Sequence, residues 1–311
     1  MDRRTYTMAH IEIKNLTKDY GKGRGIFNVS FDVEKGSVYG FVGINGAGKT
    51  TTIRHMMGFL KPSSGTVTIN GLDALRNSAE LKRHIAYVPG EINFPGDISG
   101  EAFLKQQVDL SEHGSWADAE KLTKLFQLDV SVNVRSMSKG MKQKTALVAA
   151  FASNADIIIM DEPSTGLDPL MRDLFLDLVR DEKARGKTIF MSSHIFQELE
   201  EVCDTTAVLR EGRIIDIIDM NDIRYNKNKI FRLEFKTQQD YTSFLGLQYD
   251  TIQLKPEDNQ IFIQIHDSDI NHLIGNLAHF DLVYFKEIKQ TFEHYVTKIF
   301  KEDQSWFQNL F

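Results

Sequence analysis

The chain has 311 residues, with 37 Lys and Arg against 43 Asp and Glu and a formal net charge of −6. At about 150 residues per domain that length points to two domains, and 41% hydrophobic with 26% charged residues is an ordinary globular balance. The acidic excess argues against a global nucleic-acid-binding field and leaves only a local basic patch open, while the single Cys203 excludes an internal disulfide framework and fits a reducing compartment.

Residues 1–10 hold Arg3 and Arg4 with no apolar stretch behind them, so they do not read as a secretory signal, and Met8 is an alternative start. No run approaches the roughly 18 to 20 unbroken apolar residues of a membrane span. From residue 11 to about residue 216, short β-branched runs alternate with helical patterns, which predicts an α/β layer structure. Strands are predicted over 11–16, 38–42, 67–69, 85–88, 157–160, 188–192 and 207–209, and Glu211-Gly212 reads as a tight turn. Helices are predicted over 50–58, 101–109, 116–126, 139–152, 169–184 and 196–202. The uninterrupted apolar run Ile157, Ile158, Ile159, Met160 is that of a strand buried on both faces.

After Met220 the texture changes, and Asn221, Asn226, Lys227, Asn228 and Lys229 form a polar hinge. Beyond it, strand 230–235, helix 238–245, strands 251–254 and 260–265, helix 268–278, strand 282–285 and helix 291–300 are predicted. The order βαββαβ is the split pattern of ferredoxin-like folds, and an irregular tail packed on the first domain is the alternative. Phe231, Phe235, Phe244, Phe262, Phe280 and Phe285 read mostly as core positions of such a module. The division is therefore 8–220 and 221–311.

The segment Gly43-Ile44-Asn45-Gly46-Ala47-Gly48-Lys49-Thr50 fits G-x4-G-K-[ST] and follows a predicted strand. Glycines let the backbone curl and aim successive N–H groups at a polyphosphate, and the next helix adds its positive end. Lys49 supplies a point charge to the β- and γ-phosphates, and the Thr50 hydroxyl is a ligand for Mg²⁺. Kinases, GTPases, helicases and transport ATPases all use such a loop, so the choice among them lies downstream.

The apolar strand 157–160 ends in Asp161-Glu162-Pro163, at the carboxyl end where parallel sheets bind ligands. Two adjacent carboxylates suggest divided labour: Asp161 to hold Mg²⁺ directly or through water, and Glu162 to polarise an attacking water. A second strand end carries Ser193-His194, which places His194 to donate to the γ-phosphate and steady that water. His10, His55, His84, His113, His266, His272, His279 and His294 have no comparable placement.

Taken together, these motifs resemble an ATP-binding-cassette (ABC) ATPase from residue 11 to about residue 216. Tyr20 stands where that family stacks an aromatic on adenine, and 43–51, ending in Thr51, matches the Walker A loop. Met137-Ser138-Lys139-Gly140-Met141 stands at the signature position ahead of the Walker B segment 157–162, and 164–169, with Asp168, resembles the D-loop. The resemblance implies a P-loop NTPase fold, namely a RecA-like core with an antiparallel β subdomain and an α-helical subdomain, plus a small α+β C-terminal domain. It also implies an ATP-induced homodimer in which each ATP lies between one copy's Walker A loop and the other's signature. Ser138 is a good N-cap for the following helix, and Lys139, Lys142 and Lys144 add positive charge; for Lys142 and Lys144 a solvated basic face is the alternative.

The sequence departs from that family twice. Lys139 and Met141 replace the first glycine and the glutamine of Leu-Ser-Gly-Gly-Gln. Where the family's metal-touching glutamine should follow Tyr87-Val88-Pro89, Gly90-Glu91 stands, and Glu91 joins Thr50 and Asp161 as a candidate metal residue, with Gly90 an open alternative in the glutamine's place. The resemblance points to a peripheral subunit at the cytoplasmic face of the membrane. It would use ATP and Mg²⁺ to power efflux of a drug, peptide or lipid-like substrate through a separate integral membrane permease, with no nucleic-acid partner. Lantibiotic-type efflux ATPases share this layout. A soluble ABC ATPase acting on ribosome or DNA, or a binding-only regulatory cassette, is the alternative.

Overall fold

The computed structural model describes residues 9–94 and 96–302, so Arg3, Arg4 and Met8 lie outside the described residues, as does the end of the C-terminal segment. The chain divides into two compact units, Met1–Met220 and Asn221–Phe311.

In the first unit, β1 (Ala9–Asp19) and β2 (Gly25–Glu34) form a long hairpin, and β3 (Val38–Val42) runs into the glycine loop and α1 (Lys49–Met56). Next come β4 (Ser64–Ile69), β5 (Leu72–Asp73), α2 (Ser78–Leu81) and β6 (Ile85–Val88). Three helices follow, α3 (Gly100–Leu110), α4 (Trp116–Leu125) and α5 (Lys139–Ala152). The unit closes with β7 (Ile157–Asp161), α6 (Pro169–Ala184), β8 (Thr188–Ser193), α7 (Phe196–Val202), β9 (Thr205–Arg210) and β10 (Arg213–Asp219). Among the described residues no helix is long and apolar enough to cross a membrane.

These elements form an antiparallel sheet, β2-β1-β4-β5, and a six-stranded sheet, β10-β9-β3-β8-β7-β6, parallel except at β10. The helices α3, α4 and α5 pack on one another as a separate helical layer. A P-loop NTPase core with β and α subdomains is thus what the sequence led us to expect. The two sheets meet through aromatics: Phe31 of β2 stacks on Tyr39 of β3 at 5.0 Å and on Phe190 of β8 at 5.8 Å. Every residue of β3 and β7 is buried, and each buried Ile of β7 contributes about 1.5–3 kcal/mol.

Caps set the helix starts. Ser99, Ser115, Ser138 and Asp168 each accept a backbone N–H at the head of α3, α4, α5 and α6, and Pro169 follows its cap directly. Three strands are absent from the sequence expectation: β5 spans only two residues, while β2 and β10 each carry an irregularity that interrupts period-two alternation. In β2, Asn28 has φ 55, and in β10 the register shifts between Ile214 and Asp216. The expected turn at Glu211-Gly212 has φ 48 and 76, the paired left-handed geometry of a two-residue hairpin.

In the second unit, after a short α8 (Met220–Arg224) that spans the division, β11 (Asn228–Phe235), α9 (Gln238–Leu245), β12 (Asp250–Lys255), β13 (Gln260–His266), α10 (Ile270–Leu277), β14 (Leu282–Ile288) and α11 (Phe292–Glu302) follow. The sheet is antiparallel in the order β12-β13-β11-β14, the ferredoxin-like arrangement, so the segment is not an irregular tail. Its core gathers Phe231, Leu233 and Phe235 from β11 with Tyr241, Phe244, Leu273 and Leu277 from the helices. Phe285 departs from its expected core role at 43% exposure, because β14 is an edge strand.

Two background histidines of the first unit are buried. The His10 ring bonds the Thr188 hydroxyl at 2.6 Å, and the His55 ring bonds the Thr51 carbonyl at 2.7 Å. Burial, then the Lys35 charge, holds His10 below its ordinary value against an opposing pull from Asp156, and burial does the same to His55. The unfolded chain therefore takes up protons below about pH 6.5 that the folded chain refuses, so this contribution is complete above that pH and is lost as pH falls below it. The urea midpoint is expected to fall between about pH 7.5 and about pH 5.5, and to fall less in a His10→Gln, His55→Gln variant than in the parent.

Candidate functional site

The site lies at the carboxyl ends of β3, β7 and β8, where the parallel strands release their loops. The glycine loop leaves β3 under tight steric limits: a Cβ on Gly43 would stand 2.5 Å from the Leu209 carbonyl oxygen. Gly48, at φ 110, occupies the N-cap of α1 and offers no side-chain cap, so N–H groups at that helix start stay available to an anion. Lys49 is 6% exposed. Its Nζ donates to the Gly43 carbonyl at 2.6 Å and lies 3.1 Å from Glu162 Oε1.

Asp161 ends β7 at 1% exposure and accepts two hydroxyls, Thr50 Oγ1 and Ser192 Oγ, each at 2.6 Å. The next residue, Glu162, turns into the left-handed region at φ 51. Its backbone N–H donates to Ser192 Oγ at 3.0 Å. Glu162 Oε2 lies 2.5 Å from His194 Nδ1 and accepts the His194 backbone N–H at 3.3 Å. Glu162 Oε1 is buried and accepts no hydrogen bond, so the Lys49 ammonium is its electrostatic partner. Lys49, Thr50, Asp161, Glu162 and His194, drawn from three separate stretches of sequence, thus form one contact chain.

Tyr20, 49% exposed, borders a cleft of about 1020 Å³ that continues along Gly46, Gly48 and Thr51 of the loop and its helix. Arg24, Phe27 and Arg213 line the same cleft, with the Arg213 guanidinium 5.4 Å from the Phe27 ring centre, and sequence reasoning missed all three. Asn45 is exposed in the loop and Ala47 is buried beneath it.

Ser138, Gly140 and Asp168 do not join this contact chain. Ser138 accepts the Met141 N–H at 3.2 Å and Asp168 the Met171 N–H at 3.0 Å, each capping its helix. A Cβ on Gly140 would sit 2.9 Å from the Gly166 carbonyl, so the signature turn and the D-loop of the same chain nearly touch. Gln143, missed from the sequence, strengthens that junction: it is buried and donates to the Pro163 carbonyl at 2.7 Å. The Lys144 Nζ donates to the Phe126 carbonyl at the end of α4.

Glu91 is exposed, and no hydrogen bond or ion pair joins it to another described residue. Gly90 instead lies against Asp161, where a Cβ would stand 3.3 Å from Oδ2. Nearby Tyr87 has its hydroxyl pushed up to about 12, by burial first and then by the Asp161 charge. Glu198 was also missed. It is 1% exposed and its Oε2 accepts the hydroxyls of Ser164 and Ser193. Burial raises its carboxyl above the usual range despite those bonds and the charges of Arg172 and His194.

The family profile described as ABC transporter matches residues 26–165. The bacitracin transport ATP-binding protein BcrA of Bacillus licheniformis is 32% identical over 246 residues, covering 77% of this chain and 79% of that protein. The Nod factor export ATP-binding protein I of Burkholderia orbicola is 33% identical over 214 residues, covering 67% and 70%. A solved ATP-binding cassette, a dimer in a post-hydrolysis state bound to ADP and Pi, superposes with a TM-score of 0.61 at 21% identity over 68% of this chain and 98% of that one. A complete phosphate loop facing a carboxylate–histidine pair, in a chain this close to such relatives over most of their length, belongs to the family of ABC transporter ATP-binding proteins, ATPases that drive transport.

Proposed function

We propose that this ATPase subunit powers export of a drug, peptide or lipid-like substrate through a separate integral membrane permease, docked as a peripheral protein at the cytoplasmic face. The observation that carries the catalytic part is the contact chain from Lys49 through Glu162 to His194. Transport draws its support from the bacitracin transport relative and export from the Nod factor export relative. On this reading residues 8–220 are the nucleotide-binding domain and 221–311 an accessory, regulatory domain.

The contacts support a task for each residue. Tyr20 receives the adenine at the mouth of the cleft, and the backbone from Gly43 through Gly48, including Asn45 and Ala47, wraps the phosphates with Thr51 behind it. Lys49 is held by the Gly43 carbonyl and Glu162, and a γ-phosphate draws its charge away from that pair. Glu162 Oε1, buried and without a hydrogen bond, is then left to accept a proton from water, while His194 orients Glu162 through Oε2. Ser138, Gly140 and Asp168, absent from the chain's own cluster, serve the nucleotide of a second copy in an ATP-induced homodimer, a reading supported by the dimeric cassette of like fold.

Thr50 and Asp161 suit Mg²⁺, because they present a hydroxyl and a carboxylate oxygen, hard donors of the kind that ion prefers. Among the described residues no group of three His, Cys, Asp or Glu side chains could form a full cage, which fits an ion that keeps waters and substrate phosphate oxygens as ligands. When bound, Mg²⁺ supplies charge neutralisation at the phosphates, and Asp161, already fixed by Ser192, keeps the carboxylate in place. Glu91 has no contact that would bring it to this ion.

Steady-state ATPase assays on Glu162→Gln are expected to show a loss of about 10²- to 10⁴-fold in kcat with ATP binding retained; turnover at the parental rate would remove Glu162 as the base. Deleting residues 221–311 is expected to weaken ATP-dependent self-association measured by sedimentation. Unchanged association would strip that segment of a dimer-stabilising role.

A further inference from the structure

Glu198 is a buried carboxylate that the reaction as described does not use. It is 1% exposed on α7, four residues beyond His194. Its Oε2 accepts Ser164 Oγ and Ser193 Oγ, both at 2.9 Å, while Oε1 is buried with no hydrogen-bond partner. Burying such a group half-satisfied is unfavourable, and a well-packed apolar side chain is often the more stable choice. Its position therefore asks for a reason beyond packing.

The two serines supply one. Ser164 belongs to the turn that begins at Glu162, where the Thr165 N–H donates to the Glu162 carbonyl at 3.2 Å and the Leu167 N–H to the Ser164 carbonyl at 3.0 Å. Ser193 immediately precedes His194, and its Oγ accepts the Ile195 N–H at 2.9 Å. One oxygen of Glu198 thus joins the segment that leads from Glu162 to Asp168 with the turn that presents His194.

We propose that Glu198 is a positioning residue, whose shared oxygen locks the Ser164 segment to the Ser193 turn and so fixes the Glu162–His194 pair in register. Because Asp168 lies on the locked segment, a displacement there reaches His194 through two hydroxyls rather than through the sheet. The inference rests on Glu162 and His194 carrying the chemistry.

Steady-state ATP hydrolysis by the full chain tests it. Glu198→Ala is expected to lower kcat by about 10-fold with KM for ATP within about twofold, since none of the loop contacts at Lys49, Thr50 or Tyr20 involves it. Glu198→Gln keeps an oxygen that accepts both hydroxyls and is expected to return kcat to within about threefold of the parent. Ser164→Ala and Ser193→Ala should each lower kcat, and together no more than the larger single effect, because both act through one oxygen. These two variants remove only hydroxyls and carry the test if Glu198→Ala fails to fold. Parental kcat in Glu198→Ala, a Gln variant no better than Ala, or strictly additive serine effects would overturn the proposal. Glu162→Gln run in parallel separates the two readings. Retained turnover there removes the base assignment, whereas lost turnover there beside an unaffected Glu198→Ala removes only the lock.

Discussion

The Asp161 carboxylate is the joint on which this nucleotide site depends. Nearly all of it is out of water, and such a charge is tolerable only when its oxygens are occupied. Thr50 fills one and Ser192 the other, so a single side chain links α1, β7 and β8. The Lys49–Glu162 ion pair adds a second polar tie between the phosphate loop and the end of β7. Gly90 belongs to the same constraint. The space against Asp161 Oδ2 is filled by backbone with no Cβ, so at Gly90 the loop after β6 approaches that carboxylate without a side chain between them.

A second level of order is electrostatic. Lys49 and Glu162 neutralise each other in a partly dry pocket, where an unpaired charge of either sign would be strongly disfavoured. On the proposed reading the pair is a resting state that a phosphate group can reorganise, since a polyanion offers the lysine a stronger partner than one carboxylate. Freed of its cation, Glu162 is left with His194 on one oxygen and an open second oxygen.

Much of this was legible in the sequence, for a physical reason. The phosphate loop, the strand end Asp161-Glu162, His194 and the cap at Ser138 are fixed by local chemistry: glycine conformations, a buried apolar run, and a hydroxyl three residues ahead of a helical N–H. What stayed hidden depends on contacts across long separations. Glu198 meets a serine 34 residues away, Gln143 a carbonyl 20 residues away, and Asp161 a hydroxyl 31 residues away, and no periodicity announces such pairs. The adjacent Ser192-Ser193 before His194 was the available signal, two hydroxyls at a buried strand end that must each find an acceptor. The strand β10 was hidden by its own irregularity, and Glu91 makes no contact with Thr50 or Asp161.

The close approach of Gly140 to the Gly166 carbonyl carries a further consequence for how this signature turn can drift. Position 140 has no room for any side chain and position 138 must keep an oxygen to cap α5. Positions 139 and 141 bear neither constraint, and these are the two places where the chain carries Lys and Met instead of the family's glycine and glutamine. The turn thus separates a fixed scaffold from an adjustable surface at alternate residues.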